Sequence, residues 1–224
     1  MTEVSSWCCL RLTELSAWER RWDDLPNGQG GHDTAAIIDV LGEVANRSRP
    51  FAFADPDLLM TGGAGCDQRV PGVRCAGCSD LEYRTEFIMW AVAASPLVVS
   101  TDIRGMTNAT REILLHEEIL AINQDPIGRS HGVIQAFPCA GSRKPNACQV
   151  WAKPLSSRGG IAVALYNSGN RTAVISLPIR LLGLGDGPVR VRDVWARREL
   201  GSFTAFSAKA AAHEARIFAI TATR

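Results

Sequence analysis

The stretch Phe53-Ala54-Asp55-Pro56-Asp57-Leu58-Leu59 decides the reading of this chain. Two carboxylates flank a proline, an apolar run precedes them, and Gly62, Gly63 and Gly65 follow closely. Proline fixes its own φ and drives the residue before it out of the helical region. The pair therefore sits on a stiff, extended scaffold, predicted at a strand end. Such a scaffold suits a site that holds a carboxylate still against a polar ligand. The competing reading is an Asp-rich turn.

On either side of this stretch, helices and strands alternate. The string from Thr34 to Leu41 predicts a short helix, with Ile37, Ile38 and Leu41 on one face. Pro50 to Ala54 reads as a short buried strand leading into the Asp pair. Glu82 to Ala94 predicts the strongest helix, with Phe87, Trp90, Ala91 and Ala94 repeating at helical spacing and Glu82, Arg84 and Glu86 off that face. Pro96 is expected to end it. Leu97 to Thr101 reads as a buried strand, and Thr107 or Asn108 as the cap of a helix through Ile113 and Leu114. The alternation from about 34 to 126 is the pattern of a parallel α/β unit. Beyond about 130 the pattern changes to short β-rich segments: Val150–Ala152, Ile161–Tyr166, Ala173–Leu177, Val189–Val194 and Arg216–Ile220. Turn residues separate them, as in an antiparallel β domain. Residues 1–31 show no sustained period.

Composition narrows the class. The chain has 224 residues, 46% hydrophobic and 21% charged, and a net charge of +1. That is the balance of an ordinary soluble globular protein, with no electrostatic signature of nucleic acid or an anionic membrane. The longest apolar run, Phe87 to Val99, is too short for a membrane span and is broken by Pro96. No secretory leader follows Met1. Yet the chain carries seven cysteines and three Asn-x-Ser/Thr sequons, at Asn46, Asn108 and Asn170. Together these lean towards an oxidising, secretory origin, and they suggest an incomplete N-terminus.

The cysteines read as staples. Cys66, Cys75 and Cys78 lie in a Gly/Pro-rich loop with no fourth ligand for a structural zinc site and no helix for a redox motif. Loop-closing disulfides Cys66–Cys75 and Cys139–Cys148 are expected. Seven is odd, so at least one thiol is unpaired or has its partner elsewhere. The histidines His32, His116, His131 and His213 have no spacing that suggests a metal or a Ser/His dyad, and a surface or loop position is expected for all four.

Paired carboxylates are what glycoside hydrolysis requires. Asp23 and Asp24, with Asp55 and Asp57, are the candidates. Arg20 could hold a ligand oxygen through its planar fork, and Trp22 could stack on a sugar face. A solvated Arg/Asp cluster is the competing reading of residues 19–24.

Asp55-Pro56-Asp57, then Tyr83-Arg84-Thr85-Glu86-Phe87 and Trp90-Ala91, resemble the α-galactosidases of glycoside hydrolase family 27. So do Ala94-Ser95-Pro96-Leu97, the run Thr101 to Thr107 and the run Ala121 to Gly128. Val150 to Leu155, Ala164 to Asn167 and Arg192 to Trp195 resemble that family's β domain. The likeness is good over about 50–224 and loose over 18–49.

The resemblance implies a C-terminal part of a (β/α)8 barrel over 1–129 and an antiparallel β-sandwich over 130–224. It implies a retaining hydrolase of terminal α-galactosides, acting on an oligosaccharide or glycoconjugate, with no cofactor or metal, no nucleic-acid partner and no membrane. The intact family form allows a homodimer, and its setting is secreted, lysosomal or vacuolar. By the same resemblance Asp57 is a galactose-binding residue, although Phe53-Ala54 stand where the family has Trp-Asn. Arg20 and Asp24 have the spacing of the sugar-holding arginine and the acid/base, with Asp23 as the alternative acid. The family's nucleophile lies in a Lys-Tyr-Asp-type motif on an earlier strand, and no such motif occurs in these 224 residues. Ser6-Trp7 stand where the family has a sugar-contacting Glu-Trp. Galactose and N-acetylgalactosamine are therefore not separated, and a non-catalytic sugar-binding role of the β domain stays open.

Overall fold

A computed structural model describes residues 9–10, 34–56, 58–62, 78–139, 142 and 144–223. The chain is an incomplete α/β barrel docked onto an antiparallel β-sandwich. In the barrel part, β1 (Cys9–Leu10) pairs in parallel with β2 (Phe53–Ala54), and Leu59 bridges in parallel to Val99. Among the described residues this part carries four helices: α1 (Thr34–Val44), α2 (Asp80–Val92), α3 (Asn108–Leu114) and α4 (Glu117–Asn123).

The ends of α2 explain its length. Ser79 caps the N-terminus in a capping box, accepting from Glu82 N while the Glu82 carboxylate accepts from Ser79 N at 2.8 Å. The helix stops at Val92, four residues before Pro96, so the proline is not what ends it. Ala94 takes the left-handed conformation (φ 59°), Ser95 N–H donates to Trp90 O and Ala94 N–H donates to Ala91 O. That is a Schellman cap built on alanine, where glycine is the usual choice. Thr107 caps α3 by accepting from Thr110 N.

The sandwich has a six-stranded sheet in the order β3-β4-β5-β10-β7-β8, antiparallel throughout. Its strands are β3 (Gly132–Phe137), β4 (Cys148–Pro154), β5 (Ile161–Asn167), β7 (Val189–Asp193), β8 (Arg198–Phe203) and β10 (Ala215–Ala222). A second, two-stranded sheet pairs β6 (Ala173–Leu177) with β9 (Phe206–Ala210).

Side chains alternate across a strand, and here both faces of the large sheet are buried. Val163, Leu165, Phe218 and Ile220 face the small sheet, against Ile175 and Ala210. Ala162, Ala164, Tyr166 and Ile217 face the barrel helices, against Phe87 and Trp90 of α2. The polar alternation of a one-sided strand is therefore missing from β5. The alanines on its helix-facing side leave room for α2.

Two further expectations change, and one is narrowed. Residues 50–54 are a strand only at Phe53–Ala54. The rest is a tight turn in which Arg49 and Ala52 exchange backbone bonds of 2.9 Å, with Phe51 left-handed (φ 67°) and exposed. The segment 97–101 is not buried: Val98 is 48% and Val99 42% exposed, and Ile103 nearby is 65% exposed. Among the described residues, Val99 N–H and C=O make no hydrogen bond, so on that side the segment has no described neighbour. His116 takes the loop position, between α3 and α4, and is buried there. It is 1% exposed, caps α4 by accepting from Ile119 N, and stacks on Trp195 at 4.8 Å.

Candidate functional site

The proline-flanked acidic stretch leaves the end of β2 as the sequence suggests. Ala54 N–H donates to the buried Ser48 Oγ at 3.0 Å, Asp55 is exposed and Pro56 is buried. Asp57 lies outside the described residues, as do Arg20, Asp23, Asp24, Ser6 and Trp7. What the structure describes is the segment that follows Asp57 in the chain.

The segment 59–62, directly after Asp57 and Leu58, is pinned at every residue. Leu59 N–H donates to Val98 O at 2.7 Å and Ser100 Oγ donates to Leu59 O at 2.7 Å. Met60 N–H donates to Glu86 Oε1 at 3.0 Å and Thr61 Oγ1 to Glu86 Oε2 at 2.7 Å. Thr101 Oγ1 donates to Gly62 O at 2.9 Å. Gly62 has φ +78°, and a Cβ there would sit 2.3 Å from Thr110 Cγ2, so only glycine lets the loop lie against α3.

Glu86 is the residue sequence reasoning misplaced. Helical periodicity put it off the apolar face of α2, yet it is 3% exposed. The helix is buried nearly all round, because barrel strands cover one side and the sandwich the other. Burial pushes the Glu86 carboxyl above the ordinary carboxylate range, with the bonds from Met60 and Thr61 opposing. A lone acid inside the otherwise apolar run Phe87–Val92 and its flank was the available signal.

The seam between barrel and sandwich is polar and interlocked. Thr85 Oγ1 donates to His213 O at 2.9 Å and accepts from Ala215 N at 2.9 Å. Arg84 Nη2 meets Glu214 at 2.7 Å, and its guanidinium lies over Trp195 at 4.9 Å. Arg192 grips both oxygens of Glu118, at 2.9 and 2.6 Å, and this bond holds Glu118 below its usual range. Asp125 accepts from Ser156 N and Oγ, both at 2.8 Å. Burial raises its carboxyl, but these bonds outweigh that and lower it.

Other reactive groups are structural or quiet. Cys139–Cys148 is a disulfide with Cα atoms 5.1 Å apart, as expected. Cys66 and Cys75 lie outside the described residues. The half-buried Cys78 thiol is pushed up to about 11 by burial, then by Glu82 and Glu86, so it is no nucleophile near neutral pH. Among the described residues no group of three or more His, Cys, Asp and Glu is placed to hold a metal ion. No described helix is long and apolar enough to cross a membrane. A recess of about 540 Å³ on the sandwich is lined by Gln135, Phe137, Ser176 and Arg180 among others, and no acidic side chain lines it. It offers no carboxylate pair for hydrolysis.

An incomplete parallel barrel carried on a two-sheet sandwich is an enzyme architecture in which the strand ends and the loops after them form the site. Residues 32–125 match the Melibiase_2 family, described as alpha galactosidase A. Residues 145–220 match the alpha galactosidase C-terminal beta sandwich domain. The chain belongs to glycoside hydrolase family 27, the α-galactosidase family, and corresponds to the C-terminal part of its architecture. An alpha-galactosidase of Oryza sativa subsp. japonica is 30% identical over 205 residues, covering 87% of this chain and 44% of the relative. Alpha-galactosidase 3 of Arabidopsis thaliana is 35% identical over 176 residues, covering 77% of this chain and 36% of the relative. The structure of alpha-galactosidase I from Mortierella vinacea superposes with a TM-score of 0.69 at 23% identity, over 85% of this chain and 45% of that one, and shows the fold alone. The chain spans less than half the length of these relatives.

Proposed function

We propose that this chain carries the sugar-recognising and proton-transferring part of an α-galactosidase that hydrolyses terminal α-linked galactose from oligosaccharides or glycoconjugates. What carries the reading is the tandem order. A barrel segment and a sandwich segment of one enzyme family follow each other in 224 residues, and the Asp-Pro-Asp stretch follows strand β2 within the barrel segment.

In this reading Asp24 protonates the leaving oxygen and then activates water, with Asp23 as the alternative acid. Arg20 and Asp57 hold sugar hydroxyls. A retaining reaction also needs a second carboxylate to attack the sugar and form the glycosyl-enzyme. The family's nucleophile motif does not occur in these residues, so in this reading the attacking carboxylate is not one of them. The disulfide and the sequons favour a secreted, lysosomal or vacuolar setting.

The pinned loop at 59–62 supports the assignment of Asp57. A binding carboxylate works best when its backbone cannot drift, because a displacement of about 1 Å costs on the order of a hundredfold in rate. The test joins the chain, in one polypeptide, to the segment of the rice relative that precedes its match. That protein is expected to turn over a chromogenic α-galactoside, and Asp24→Asn to abolish turnover. Asp57→Asn is expected to raise KM. Turnover by the chain alone, untouched by Asp24→Asn, would overturn the proposal.

A further inference from the structure

The three sequons are chemically equivalent in sequence, but the fold treats them differently. The structure assigns Asn170 as the one asparagine of the three built to carry an N-linked glycan, the donor being a lipid-diphosphate-linked oligosaccharide. In that transfer the Asn170 Nδ2–C1 bond forms, the C1–O bond to the diphosphate breaks, one amide proton is lost and the lipid diphosphate leaves.

The transfer needs the asparagine amide and the hydroxyl two residues on to be available on one side of the chain. In an extended segment residues i and i+2 share a side, whereas on a helix they do not face each other. Asn108 is the first residue of α3 and its hydroxyl partner Thr110 lies in the same helix. Thr110 is 4% exposed, and its Oγ1 is bonded to Thr107 Oγ1 at 3.0 Å. Asn46 lies in a 3-10 turn, Ala45–Arg47. Its partner Ser48 is 2% exposed, with the hydroxyl committed to Ala54 N.

Asn170 differs on each count. It lies in an irregular bend between β5 and β6, and Asn170, Arg171 and Thr172 are all exposed. The Thr172 hydroxyl has no partner among the described residues. The bend is held from below, since Asn167 Nδ2 donates to Arg171 O at 2.8 Å and Gly169 N–H donates to Asn167 Oδ1 at 2.9 Å. The Asn170 side chain is oriented as well: its Oδ1 lies 3.0 Å from His213 Nε2, while His213 Nδ1 meets Glu82 at 3.0 Å. This contact uses the amide oxygen, and the exposed Asn170 makes no other hydrogen bond through its side chain among the described residues. A glycan there would stand beside Glu82 of α2, over the seam between sandwich and barrel. The Cys139–Cys148 disulfide fits the oxidising compartment in which such transfer occurs.

The full chain, directed into a eukaryotic secretory pathway by a removable leader, tests the assignment. Glycosylation is scored on cell-retained and secreted protein together, so poor folding does not hide the result. One endoglycosidase-sensitive species is expected, with the glycan mapped to Asn170 by Asn-to-Asp conversion on release. Asn170→Gln and Thr172→Ala are expected to abolish it, Thr172→Ser to keep it, and Asn46→Gln and Asn108→Gln to leave it unchanged. An unmodified Asn170, or a glycan principally on Asn46 or Asn108, overturns the inference. None of these residues belongs to the proposed sugar site, so either outcome leaves the hydrolase reading standing.

Discussion

The sandwich and the barrel part of this chain have similar shares of apolar residues, yet among the described residues one is covered on both faces and the other is not. In the sandwich both faces of the large sheet are covered, by the small sheet on one side and by α2 on the other. In the barrel part the strand segment 98–100 has Leu59 on one edge and no described neighbour on the other. The contrast shows where a fold keeps its stability and where it keeps an unfinished interface. Parallel strands cannot shield their own edges, and an exposed edge is a template for another strand. A chain that is half sandwich therefore has a stable anchor for a half-barrel that needs completing.

The largest test of that contrast compares two apolar truncations. Phe218→Ala, at 1% exposure between the two sheets, is expected to cost about 3–5 kcal/mol in denaturant unfolding. Ile103→Ala, on the open rim, is expected to stay within about 0.5 kcal/mol. Similar costs at the two positions would mean the rim is already packed. Next in size is the Cys139–Cys148 disulfide, which closes a loop with a sequence separation of 9. Replacing both cysteines with serine is expected to cost about 2–3 kcal/mol, felt in the sandwich.

Glu86 links the two regions and should follow. Glu86→Ala leaves Met60 N–H and Thr61 Oγ1 without their acceptor, at a cost of about 2 kcal/mol. Its pH dependence has a defined sign. The folded carboxyl titrates above its ordinary value of 4.5, so its contribution is fully present below that value and is lost as pH rises through the raised one. The Glu86→Gln variant has no such titration. Unfolding measured across this window should find the variant gaining on the parent as pH rises from about 4.5, and a constant difference would contradict the raised titration of the buried carboxyl.

Much of this was legible in the residues. The α2 helix, strands β4, β5, β6, β7 and β10, the Thr107 cap and the Cys139–Cys148 bridge follow from periodicity, turn residues and spacing, whereas β3, β8 and β9 are not read as strands from them. The misses share a physical origin. Pro50-Phe51 sit in an apolar run, but proline at the first corner of a turn and a left-handed Phe51 fold the run back on itself, which apolar content cannot reveal. Val98 and Val99 read as core because a barrel strand is core once its neighbours are present. Glu86 reads as surface, and His116 as surface or loop, because polar residues usually are. Both are buried because each satisfies backbone groups of a neighbouring element, a property of tertiary contact rather than local pattern. The acidic site was legible as a pattern of residues, while its geometry depends on segments that local sequence does not position.

Hydrogen exchange on two proteins puts the account to its most direct test: the chain alone, and the chain joined to the preceding barrel segment of the rice relative. In the chain alone, the amides of Val163, Leu165 and Phe218 should exchange slowly, and those of Val98, Val99 and Ser100 rapidly. In the joined protein the 98–100 amides should slow toward the sandwich values as a strand pairs with their free edge. Protection of 98–100 in the chain alone, equal to that of β5 and β10, would contradict the claim that this barrel is open and awaits its other half.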